Sequence, residues 1–105
     1  MIRIQGREVE FHYSPLAVAE LEERLDLSIG DLYARVRSGK VRVRDMLAIV
    51  WAGCLDAAPS LSLEAVSQAV EAGEPLLGKY REAIRVLGED VSSILRESEG
   101  EQPKN

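Results

Sequence analysis

Val43-Arg44-Asp45-Met46-Leu47-Ala48-Ile49-Val50-Trp51-Ala52-Gly53-Cys54-Leu55 is the stretch around which the rest of the chain must be arranged. Met46, Leu47, Ile49, Val50, Trp51, Cys54 and Leu55 put apolar side chains on most sides of a helix, which predicts a central helix packed on several faces. Trp51 is expected among the most buried side chains. Gly53 costs such a helix on the order of 1 kcal/mol relative to Ala, so a neighbouring segment is expected to approach its backbone closely. Asp56-Ala57-Ala58-Pro59 ends the run.

Upstream, the pattern has a period of two. Ile2 and Ile4 alternate with Arg3, while Val9, Phe11 and Tyr13 alternate with Glu8, Glu10 and His12. Taking Gly6-Arg7 as a two-residue turn pairs Ile4 with Val9, Ile2 with Phe11 and Arg3 with Glu10. A lone hairpin is marginal in water, so its apolar face is expected to lie on the helices. Ser14-Pro15 then opens a helix with an apolar stripe of Val18, Leu21 and Leu25. Ser28 with Asp31 resembles a capping box for a second helix through Ile29, Leu32, Tyr33 and Val36, stopped by Gly39.

Beyond the central helix, Ser62 is the expected cap of a fourth helix, with Leu61 stapled onto Val66 and Gly73 as its end. Glu74-Pro75 begins the last helix, expected to reach about Glu97. Its seam is Leu77, Tyr80, Ile84, Leu87, Val91 and Ile94, spaced by three and four residues. The fold class is therefore α+β and mostly helical: a hairpin on a bundle of about five helices, in one domain over residues 1–97. Residues 98–105 read as a disordered acidic tail.

Composition narrows the function. The 105 residues carry 13 Lys and Arg against 18 Asp and Glu, a net charge of −5, opposite to that of a protein built to grip phosphates. One cysteine leaves no internal disulfide, and one histidine beside it makes a poor zinc set. The first residues have no signal-peptide pattern, and no apolar run is long enough to span a membrane. His12 falls on the exposed hairpin face, Cys54 on the apolar helix, and the carboxylates of Glu20, Glu22 and Glu23 scatter over a solvated surface. No catalytic, cofactor or metal site is expected.

Two contact surfaces remain. Arg35, Arg37, Lys40, Arg42 and Arg44 cluster within ten residues of an acidic chain, a basic contact patch that could serve a small helical DNA-binding regulator. The apolar helix that follows suits a duplex groove poorly. The other surface is the seam Leu77, Tyr80, Ile84, Leu87, Val91 and Ile94, on a helix long enough to overhang a domain of this size and meet a partner.

The order of these elements is familiar. Leu16-Ala17-Val18-Ala19-Glu20-Leu21-Glu22-Glu23-Arg24-Leu25, then Ser28-Ile29-Gly30-Asp31-Leu32, then Arg44-Asp45-Met46-Leu47-Ala48-Ile49-Val50-Trp51-Ala52-Gly53 resembles the tail assembly chaperone family of phages and phage-like gene transfer agents. Ser62-Leu63-Glu64 matches the start of the family's next helix loosely. The resemblance covers roughly residues 2–72. It implies a non-enzymatic protein of the bacterial cytoplasm that solubilises the tape measure protein until tube subunits polymerise, and that is absent from the finished particle. It implies the tail tube protein as a second partner, and self-association is a further expectation.

Overall fold

The computed structural model describes residues 1–100, with side chains to Arg96. Strands β1 (Ile2–Ile4) and β2 (Arg7–Val9) form an antiparallel hairpin. Its register differs from the one expected: Ile2 lies opposite Val9, Arg3 opposite Glu8 and Ile4 opposite Arg7. Arg3 therefore does not pair with Glu10; its guanidinium lies 3.9 Å from Glu8. The turn is Gln5-Gly6, with φ of 52° and 77°. A type I′ turn needs positive φ at both central positions, and here Gln5 tolerates the left-handed conformation while Gly6 adopts it without strain. The slip is two residues, which leaves every side chain on the same face, so alternation alone could not detect it.

After Val9 the chain leaves the sheet but stays extended. Phe11 and Tyr13 remain buried and His12 exposed, because the segment from Glu10 to Ser14 crosses the central helix as a strap. Helix α1 (Pro15–Leu25) follows, capped by Ser14, whose Oγ accepts from the Ala17 N–H at 3.2 Å. It buries Ala17, Leu21 and Leu25, with Val18 half-buried. Asp26 ends it in the left-handed conformation. Helix α2 (Ile29–Arg37) is capped by Ser28, which accepts from the Asp31 N–H at 3.0 Å. The Ile29 N–H, another orphan donor of the first turn, goes to Glu22 at 2.8 Å.

Helix α3 (Val43–Cys54) is the expected central element. Every residue from Ala48 to Cys54 is buried, and the helix packs against α1, α4 (Leu63–Glu71) and α5 (Leu76–Gly100). Trp51 is 6% exposed and donates its indole N–H to the Leu61 carbonyl at 2.8 Å, pinning the loop before α4. Ser62 caps α4 and Leu61 and Val66 join the core on either side of it, as the staple requires. The hairpin lies against α4 through β1, and Glu74 closes its outer edge by accepting from the Arg3 N–H at 2.9 Å.

Gly53 is where the strap crosses. The His12 N–H donates to the Gly53 carbonyl at 2.9 Å. A Cβ on Gly53 would stand 2.7 Å from Tyr13 Oη and 3.1 Å from Phe11 Cδ1, so the close approach inferred from the sequence is made by the aromatic pair of the strap. Tyr13 is locked at both ends: its hydroxyl donates to the Ile49 carbonyl at 2.6 Å and its N–H to Asp90 of α5 at 2.8 Å. Helix α5 continues to Gly100, three residues past its expected end; of the expected tail, residues 101–105 lie outside the described residues.

Candidate functional site

The chemically reactive residues are placed for structure. Cys54 is fully buried, and burial pushes its thiol up to about 11, far from the thiolate a nucleophile needs. His12 joins Asp56 and Ser14 in a small cluster. Asp56 takes His12 Nδ1 on one oxygen at 2.6 Å and the Ser14 hydroxyl on the other at 2.8 Å. The carboxylate sits between the two, so the imidazole does not touch the hydroxyl and cannot act as its base. Partial burial opposes the charge on Asp56, but the hydrogen bonds from His12 and Ser14 together hold its carboxyl below the usual carboxylate range. The cluster ties the strap to the end of α3. Among the described residues, no group of three or more His, Cys, Asp or Glu side chains is arranged to hold a metal ion.

The basic stretch divides in two. Asp45 is fully buried at the start of α3, where it receives the Arg42 N–H at 2.8 Å, the Arg42 guanidinium at 3.0 Å and the Arg35 guanidinium at 3.3 Å. Desolvation works against the charge, and these contacts outweigh it, so the carboxyl titrates below its ordinary range. Arg35 and Arg42 are thereby committed to joining α2 to α3. Arg37, Lys40 and Arg44 are exposed, and among the described residues no ion pair engages them. Three separated cations are a thin basis for a duplex contact.

The seam of α5 is largely spent inside. Tyr80, Leu87 and Val91 are buried in the core, together with Ala83, which the sequence reading passed over. Ile84 and Ile94 are half-buried. Only Leu77, 50% exposed, offers a large apolar surface at the near end; Leu95, off the seam, is 55% exposed at the far end.

The surface missed in the sequence lies where α1 packs on α3. Leu16 is 79% exposed, the highest among the large exposed apolar side chains of the described residues. It flanks a depression of about 420 Å³ lined by Glu20, Trp51, Leu55, Pro59 and Leu61. A second depression of about 250 Å³, walled by Glu20, Glu23 and Arg24, shares Trp51 with the first. The Arg24 guanidinium stands 4.9 Å from the centre of the indole ring. Leu16 and Trp51 are 35 positions apart in the sequence, and only the packing of α1 on α3 brings them to one groove. The readable signal was a leucine at the second position of α1, off the stripe of Val18, Leu21 and Leu25 that faces the core.

The described residues thus form a closed core and leave large apolar side chains outside it. No helix of the described residues is long and apolar enough to cross a membrane. No curated protein and no solved structure matches the chain. A family model described as "Phage tail tube protein, GTA-gp10" matches residues 1–92, from the hairpin through most of α5. That family is one of the non-enzymatic tail assembly chaperones, and the chain belongs to it.

Proposed function

We propose that the protein binds the tape measure protein of a phage or phage-like particle, keeps this long helical chain soluble before tube subunits polymerise around it, and leaves before the particle is complete. The family match over residues 1–92 carries this reading. The exposed apolar residues Leu16, Val43, Leu77 and Leu95 support it, since a folded core that is already closed leaves them available to another chain. Helical segments present apolar side chains at i, i+3, i+4 and i+7, and a shielding protein must cover those anchors in turn. The tail tube subunit, whose polymerisation ends the need for shielding, is a second partner in this reading. Binding then takes place in the bacterial cytoplasm during assembly.

Affinity purification from a lysate in which particles are being assembled tests the proposal. The protein should bring down the tape measure protein, and mass spectrometry of finished particles should find the tape measure protein without it. A stoichiometric amount of the protein in finished tails would contradict the reading.

A further inference from the structure

We propose that the groove over Trp51 is a docking site for a basic amphipathic helix: an apolar side chain seats between Leu16 and Pro59, and Lys or Arg side chains lie against Glu20 and Glu23. This rests on the reading of the protein as a chaperone of a helical chain and names the surface and the chemistry of the segment it takes.

Size, apolarity and charge agree. The two depressions share Trp51 and Glu20 and adjoin along α1 between Leu16 and Arg24; together they are the groove over Trp51. From Leu16 to Glu23 the α1 axis advances about 10 Å, or two helical turns, the length over which a docked helix shows two or three anchors. The floor is the edge of Trp51 with Leu55, Pro59 and Leu61. The α1 wall is acidic: Glu20 and Glu23 are exposed, and among the described residues neither has an ion-pair partner. Arg24, whose guanidinium lies over the indole, is one cation set against the carboxylates of Glu20 and Glu23 here and of Asp56 in the adjoining depression, so the groove stays acidic on balance. An apolar floor beside a wall with an excess of carboxylates selects a segment that is apolar on one face and cationic at its flank, and the net charge of −5 favours the approach of such a segment. The exposed Arg37, Lys40 and Arg44 around Val43 of a second copy would offer similar charge. They surround a loop and a helix start, though, rather than two turns of one helix face.

Trp51 is the single tryptophan of the chain, so its emission reports on the groove. The probe is a synthetic amphipathic helical peptide of Leu and Lys, about 15 residues long, with a control in which every Lys is Glu. The Lys peptide should change Trp51 emission saturably and the Glu peptide should not. Leu16→Glu, and separately the double variant Glu20→Lys with Glu23→Lys, should each weaken the Lys peptide about tenfold or more. Because all three side chains are exposed, the thermal midpoint should stay where it is in wild type. Both variants should also lose the helical partner from the soluble fraction on co-expression.

Unchanged affinity in both variants, or equal binding of the two peptides, would overturn the proposal. If wild type and both variants keep the partner soluble alike, the groove is not the site and the chaperone reading stands. If wild type leaves the partner insoluble, the chaperone reading fails and the peptide titration alone decides the groove. Should the variants instead dissociate an oligomer of the protein with peptide binding unaffected, the occupant is a second copy and the proposal is wrong.

Discussion

Single residues hold this fold where two segments cross. At Gly53 the intrinsic gain of a helical alanine, about 1 kcal/mol, is set against a Cβ standing 2.7 Å from Tyr13 Oη. Tyr13 cannot retreat, since its hydroxyl and its N–H are bonded to Ile49 and Asp90. The clash wins, and Gly53→Ala should lose about 1–3 kcal/mol in urea unfolding; a variant as stable as wild type would mean that the strap is loose. At Asp45 the decisive force is electrostatic. Its carboxyl is held below the unfolded value, so its contribution is complete above about pH 5 and is lost as pH falls through the folded pKa. Asp45→Asn should therefore be clearly less stable than wild type at about pH 7, and the gap should narrow towards about pH 3. A gap independent of pH would show that shape, not charge, is what the site requires.

At the scale of elements, what was legible followed from local chemistry. The caps Ser14, Ser28 and Ser62, the stop at Gly39 and the crowding at Gly53 are written into short windows, and the structure has each of them. The hairpin register was not legible, because a two-residue slip changes the cross-strand partner of Arg3 from Glu10 to Glu8 while preserving both faces. Nor could spacing say how much of the α5 seam lies inside. Leu87 is fully buried and belongs to the core rather than to an overhang, so Leu87→Glu should unfold the protein outright, by circular dichroism, with or without a partner. If Leu87→Glu stays folded and loses only its partner, α5 is less engaged with the bundle than its burial implies.

Among the described residues Cys54 is buried and His12 is held by Asp56, while Leu16, Val43, Leu77 and Leu95 are left exposed on a largely helical body. Two of the five basic residues between Arg35 and Arg44 are held by Asp45, and the net charge is −5. Duplex DNA should therefore bind only weakly, without sequence preference and with an affinity that collapses on adding salt. Submicromolar, sequence-dependent binding lost on Arg44→Ala would favour a regulator instead. The Trp51 groove was not legible in the sequence for a geometric reason: its floor and its acidic wall come from helices distant along the chain, and Trp51 alone reads as core. Co-expression with the tape measure protein tests the proposed solubilising role most directly. The partner's soluble fraction after centrifugation should rise from little to most of the total when this protein is present, with the two eluting together on size exclusion. A partner that stays in the pellet at every level of co-expression would contradict the account.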